Sequence, residues 1–209
     1  MATVSQPPFW SAACKHLMKR DRAMKRLIQE YPGEYLISHG DAFVTLVRSV
    51  IGQQISTKAA QAIWKKFSAL AMPVTPNSFL KLKIEDMKAV GLSSRKVEYL
   101  VDLALHFANG VVKPTLWPSM DDEAIIKELV AIRGVGRWTA EMFLIFHLMR
   151  PNVLPIDDMG LLKGISQYYF SGEPVSRSEV KEMALAWEPY RTVATWYVWR
   201  ALHPLPIVY

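Results

Sequence analysis

The chain has 209 residues and a formal net charge of +6, with a pI near 9.4; it is long enough to bury a real core and favours polyanionic partners. Hydrophobic residues make up 51%, yet no apolar run approaches the roughly 18 residues of a membrane span, and the start "MATVSQPPFW" lacks a secretory pattern. Cys14 is the only cysteine, which excludes an internal disulfide and any cysteine-ligated zinc or iron–sulfur cluster, and suits a reducing cytoplasm.

Taken in chain order, nearly every segment predicts helix. Asp41 caps "DAFVTLVRSVIG", in which Phe43, Leu46, Val47, Val50 and Ile51 share one face. Ser56 caps "STKAAQAIWKKF", and Thr75-Pro76 opens a short helix with proline at its first position. "IEDMKAVG" closes on Gly91, and Ser93 begins "SSRKVEYLVDLALHFANG", closing on Gly110. "VVKPTLWPSM" reads as a proline-punctuated connector. Ser176 and Glu179 form a capping box for "SRSEVKEMALAW". Alternating runs bounded by hairpin turns are absent, so the fold class is all-α. "KIEDMKAVGLSSRKVEYL" and "EAIIKELVAIRGVGRWTAEMFL" echo each other as helix, glycine turn, helix.

The stretch "LVAIRGVGRWTAEMF" is the most informative. One helix must stop and another begin near Arg137 within about four residues, which glycine permits through positive φ or close backbone approach. The second helix then presents its N-terminal amides and the positive end of its dipole, against which a phosphate can sit. Gly134 and Gly136 keep that surface bare, and Arg133 and Arg137 flank it with charge. On these residues alone, a plain helical hairpin is the stronger reading.

Taken together, "IRGVGRWTA", "VLPIDDMGLLKG", "SVIGQQIS", "GLSSRKVEYL" and "WEPYRTVATWYVWRALHP" resemble the helix–hairpin–helix DNA glycosylase superfamily. Within it, the chain is most similar to 3-methyladenine DNA glycosylase II (AlkA-type), in the compact form without an N-terminal β-domain. The matching segments run from about Phe43 to Pro204. The resemblance implies a single glycosylase domain over 1–209 with a DNA-binding cleft between two helical lobes. One lobe is 41–148, with the hairpin at 129–143; the other is 1–40 plus 149–209. It implies a monomeric DNA repair enzyme, cytoplasmic and nucleoid-associated, that flips alkylated bases out of duplex DNA and hydrolyses their N-glycosidic bond.

Cleaving that bond builds positive charge on the sugar, so a nearby carboxylate is the natural stabiliser, and it can orient or deprotonate water. "PIDDMGLL" offers Asp157 and Asp158. The family position matches Asp158; without the resemblance, a helix N-cap is its better reading. Bifunctional relatives carry a lysine directly after "GVGR", where this chain has Trp138, so the imine-forming nucleophile is missing and a monofunctional enzyme is implied. A cationic alkylated purine can be selected by stacking and cation–π attraction, and the resemblance puts Trp138, Trp199 and Met142 at the base pocket. Core packing is the ordinary fate of tryptophan, and most of the others, such as Trp64, are assigned there.

A flipped base leaves a gap. The resemblance matches Gln54 in "IGQQIS" to the wedge that fills it, with Gln53 in support; otherwise both are turn residues. Arg95, Lys96 and Lys163 can meet phosphate or simply be solvated. No cofactor is required, although the resemblance implies Na+ or K+ on the carbonyls of Val130, Ile132 and Val135. The five histidines show no metal-ligand spacing. Two other readings stay open: a non-catalytic helix–hairpin–helix binding module, and a glycosylase for deaminated or oxidised bases.

Overall fold

The computed structural model describes residues 6–38 and 41–202. Its α-helices in chain order are α1 (Trp10–Arg20), α2 (Arg22–Glu30), α3 (Ala42–Gly52), α4 (Thr57–Leu70), α5 (Pro76–Phe79), α6 (Ile84–Ala89), α7 (Ser94–Ala108), α8 (Asp122–Val130), α9 (Arg137–Phe146), α10 (Met159–Tyr169), α11 (Arg177–Met183) and α12 (Arg191–Leu202). Short 3-10 helices lie at Pro114–Ser119 and Ala184–Trp187, and no strand occurs among the described residues. The chain divides into two compact units, one of residues His39–Phe143, the other of Met1–Ser38 with Leu144–Tyr209.

In the central unit, local signals set the helix starts. The Asp41 carboxylate accepts from Val44 N–H at 3.1 Å, Ser56 accepts from Ala59 N–H at 3.3 Å, and Thr75 with Ser78 makes a capping box. These bonds satisfy amides that have no intrahelical acceptor. All five apolar residues expected on one face of α3 are buried, and α3 packs on α4 and α7. Aromatic rings tie the rest together: Phe43 meets Phe79 and Phe107, and Trp117 meets Phe107 and Phe143 edge-on.

Two expectations need correction here. The proline-rich connector is partly ordered as the 3-10 helix Pro114–Ser119, because Trp117 is buried and its indole N–H donates to Glu128 at 2.8 Å. Trp64 is half-buried rather than core. Phe67 is the one buried residue of α4, so Trp64 lies partly in water with the Arg48 guanidinium 5.5 Å above its ring.

In the terminal unit, α12 is buried from Thr192 to Trp199, as a helix apolar on all sides must be. Trp10 of α1 meets Trp196 edge-on at 5.3 Å. Gly164 of α10 permits close approach to α12: a Cβ there would lie 2.2 Å from the Val198 side chain. Asp21 separates α1 from α2 and faces inward. Its Oδ1 accepts from Met24 N–H at 2.9 Å, and its Oδ2 accepts from Tyr169 hydroxyl at 2.7 Å and Trp187 indole at 2.9 Å. Burial, with the Asp21 carboxylate alongside, pushes the Tyr169 phenol far above its ordinary range.

Candidate nucleic-acid interface and active site

The turn joining α8 to α9 explains its two glycines differently. Gly134 has φ +82°, and a Cβ there would lie 2.2 Å from the Tyr99 ring. Both facts are intramolecular: this glycine lets the turn lie flat on Tyr99. Gly136 is exposed and a Cβ there would meet nothing within 4 Å. Its carbonyl accepts from Ala140 N–H at 3.0 Å, which makes it the N-cap of α9, and a glycine N-cap offers no side-chain acceptor to the opening amides.

The echo seen in the sequence has a structural counterpart, which isolates this feature. Gly91 (φ +104°), buried Leu92 and N-cap Ser93 lead into α7 as Gly134 (φ +82°), buried Val135 and Gly136 lead into α9. At α7 the Ser93 hydroxyl accepts from Lys96 N–H at 3.3 Å. The α9 turn, built to the same order, leaves that side-chain cap out.

The arginines beside the turn are engaged with carboxylates. Arg137 donates to Glu123 through both terminal nitrogens and to Glu141 through Nε at 3.0 Å. The Glu123 bonds hold this guanidinium protonated well above its ordinary range, and the same bonds hold the Glu123 carboxyl low. Arg137 therefore adds no unopposed charge at the turn. Arg133 is exposed, donates its backbone N–H to Asp102 at 2.8 Å and has its guanidinium 3.6 Å from Glu98. Val130 ends α8, and the Ile132 carbonyl accepts from Val135 N–H at 3.1 Å.

Gln54 follows α3 with φ +59° and an exposed side chain, a backbone region uncommon for a residue other than glycine. Two neighbours hold its turn. Gln53 Nε2 donates to the Gly134 carbonyl at 2.9 Å, and Lys96 Nζ donates to the carbonyls of Ile51 and Gln53 at 2.7 and 2.8 Å. Lys96 is thus committed to the C-terminal carbonyls of α3, where a cation also suits the helix dipole, rather than to phosphate or solvent. Burial lowers its pKa. Arg95 is exposed. The Gln53 and Lys96 contacts span 81 and 45 residues, so no local pattern announces them.

In the terminal unit, Asp158 is the N-cap of α10, its Oδ1 accepting from Leu161 N–H at 2.6 Å. The same oxygen accepts from Trp199 Nε1 at 2.7 Å. The Trp199 ring stacks on Phe146 with centroids 5.8 Å apart and planes 11° apart. Gly160 keeps this corner open, since a Cβ there would stand 3.1 Å from Asp158 Oδ1 and 3.4 Å from the Trp199 ring; the sequence reading passed over both Gly160 and Phe146. Asp157 is exposed and paired with Arg177, so the two neighbouring carboxylates have separate surroundings. Lys163 is exposed on α10.

Among the remaining candidates, Trp138 is 39% exposed, whereas Trp199 at 6% and Met142 at 2% are buried. The structure thus brings Asp158 and Trp199 together in the terminal unit, while Trp138, Met142 and Gln54 belong to the central one. His39 and His203 lie outside the described residues. Among the described residues, no helix is long and apolar enough to cross a membrane, and no three His, Cys, Asp or Glu side chains group as metal ligands.

Comparison with known proteins agrees in fold and in sequence. Residues 47–190 match the HhH-GPD superfamily base excision DNA repair protein profile. DNA-3-methyladenine glycosylase 1 of Schizosaccharomyces pombe is 32% identical over 88% of this chain and 84% of its own. The crystal structure of DNA-3-methyladenine glycosidase from Bacillus halodurans superimposes with TM-score 0.85 at 32% identity, covering 95% of this chain and 90% of that one. The Schizosaccharomyces pombe 3-methyladenine DNA glycosylase in complex with abasic DNA gives 0.77 at 30%, covering 90% and 95%. With its all-α, two-lobed architecture, this chain belongs to the HhH-GPD superfamily of base-excision DNA repair proteins and, within it, to the 3-methyladenine DNA glycosylase family.

Proposed function

We propose that the chain is a monofunctional glycosylase that flips alkylated, 3-methyladenine-like bases out of duplex DNA and hydrolyses their N-glycosidic bond, leaving an abasic site. The observation that carries this reading is the Asp158–Trp199 pair: a carboxylate whose Oδ1 accepts from Leu161 N–H and Trp199 Nε1, beside an indole stacked on Phe146. Asp158 stabilises the positive charge that develops on the sugar and orients or deprotonates the attacking water. Trp199 acts mainly as a positioning residue for Asp158. Trp138, with its exposed indole, is the stacking face for a cationic base. Met142, one turn further along α9 and buried, belongs to the same pocket.

The bare N-terminus of α9 takes a phosphate on its amides, with Gly134 shaping the turn and Arg133 and Arg137 ordering it through their carboxylate partners. Gln54 fills the space the base vacates, and Lys163 contacts the strand one turn beyond Asp158. The carbonyls of Val130, Ile132 and Val135 are neutral oxygen donors of a kind that suits Na+ or K+, which would fix their orientation; no chemical step depends on it. Enlarging Gly136 to valine should weaken binding to damaged and undamaged duplex alike, while melting falls by only about 2–4 °C, since the side chain enters open space and only the poorer N-cap costs about 1 kcal/mol. A loss confined to lesion-bearing DNA would instead assign Gly136 to the base pocket.

The decisive assay offers methylated and uracil-containing duplexes to the protein, with borohydride added to trap any imine. Release of methylated base, no covalent adduct, and strand cleavage only after heat or alkali are expected. Trp138→Lys should lose preference for cationic bases, since the stacking face is gone. Robust trapping by the unmodified protein would overturn monofunctionality and make Lys163 the first amine to replace.

A further inference from the structure

The chain's positive charge is concentrated far from the hairpin in sequence. Residues 15–26 carry six Lys and Arg against one Asp, so +5 of the net +6 sits in twelve residues and the rest of the chain is nearly balanced. All six cations, Lys15, Lys19, Arg20, Arg22, Lys25 and Arg26, are exposed. None has an ion-pair partner among the described residues. The one acid, Asp21, spends both oxygens inward on Met24, Tyr169 and Trp187, so it does little to screen them.

Helix stability does not account for this placement. Arg22, Lys25 and Arg26 fall at i, i+3 and i+4, where like charges repel. Arg22 stands at the first position of α2, whose opening turn holds no acid, so it opposes the positive end of the helix dipole. Packing alone would favour carboxylates there. The opposite face of α2, with Ala23, Met24, Leu27 and Ile28, is buried.

We propose that the outer face of the α1–α2 pair is a second DNA-backbone binding surface, carried by the terminal unit and built from other residues than the α9 turn. It reads no sequence; its lysine and arginine heads neutralise phosphates of duplex DNA and release their counterions. A bilayer is the poorer partner, because interfacial helices need a free apolar face and that of α2 is already used inside the unit. Such a surface holds the protein on undamaged duplex while bases are sampled. The proposal rests on duplex DNA being the ligand and asks nothing of the catalytic residues.

The test is the salt dependence of binding to an undamaged 20-base-pair duplex, followed by fluorescence anisotropy. The variant Arg22→Gln/Lys25→Gln/Arg26→Gln should flatten the plot of log Kd against log salt by roughly two to three, since each lost phosphate contact removes about 0.9. Its affinity near 0.1 M salt should fall about tenfold or more. Glutamine is a good helix former and the repulsion is gone, so melting should occur at or above the wild-type temperature. The control Lys81→Gln/Lys83→Gln/Lys88→Gln removes the same charge from exposed positions of the central unit and should leave the slope nearly unchanged. An unchanged slope in the α2 variant, an equal fall in the control, or a loss seen only with anionic phospholipid vesicles overturns the proposal. Base release from methylated duplex by the unmodified protein is scored separately. Failure there with the slope change intact sinks the glycosylase reading alone, and the converse sinks the binding face alone.

Discussion

Asp158→Asn is expected to abolish base release while binding to abasic-site DNA stays within a few fold. The substitution keeps the two hydrogen bonds that Oδ1 accepts. Asparagine keeps a carbonyl oxygen for Leu161 N–H and Trp199 Nε1, the two donors now held by Oδ1, and it caps helices about as well as aspartate. What disappears is the negative charge opposite the developing oxocarbenium, a change worth roughly 10²–10³ in rate by analogy with loss of one preorganised electrostatic partner. Single-turnover release from methylated duplex measures it directly. If more than about a tenth of the activity survives, roughly 1.4 kcal/mol of barrier, another group carries the charge stabilisation. Asp157→Asn is the paired control. It breaks only an exposed bridge to Arg177, of a kind worth little, and should leave release intact.

The largest stability effect is expected at Gly134. Gly134→Ala places a Cβ about 2.2 Å from the Tyr99 ring at a φ of +82°, combining steric overlap with left-handed strain. A loss of about 2–4 kcal/mol would lower the melting temperature by roughly 5–15 °C in a chain of this size. Gly136→Ala should cost only about 1 kcal/mol, the difference between a glycine and an alanine N-cap, since a Cβ there meets nothing within 4 Å. Adding Tyr99→Ala to Gly134→Ala should recover part of the loss, a coupling that a double-mutant cycle reads out. Equal melting shifts for the two glycine variants would show that the ring is not what Gly134 accommodates.

That contrast marks how far the sequence could be read. Helix starts at Asp41, Ser56, Ser93 and Ser176 were legible because a cap and its amide lie three residues apart. The buried face of α3 was legible because helical spacing alone determines it. "GVG" was legible as a tight turn, but the division of labour between its glycines depends on Tyr99, thirty-five residues away, which no local pattern reveals. Asp158 is the instructive case. The plain N-cap reading was the stronger one from the residues alone, and it is correct as local structure. The indole that shares the same oxygen lies 41 residues on. The charges flanking the turn were misjudged for the same reason. Arg137 looked like free positive charge because Glu123, fourteen residues earlier, arrives only through the fold. Trp64 looked like core because hydrophobicity, not its place on a helix whose one buried residue is Phe67, was all the sequence offered.

The terminal unit is assembled from both ends of the chain, with the central unit inserted between Ser38 and Leu144. On the ribosome this makes the insert the early folder, since its residues are contiguous and emerge together. The α1–α2 pair must wait for α12, against which it packs. At ordinary synthesis rates the interval between Trp10 and its partner Trp196 is roughly 10–40 s. Throughout that time the apolar side of an intensely basic hairpin is uncovered, a target for chaperones and a hazard for aggregation. The Asp158–Trp199 pair is among the last features to form. A nascent chain halted before α12 would hold a folded central unit, lack the indole, and leave its first two helices with nothing to close upon.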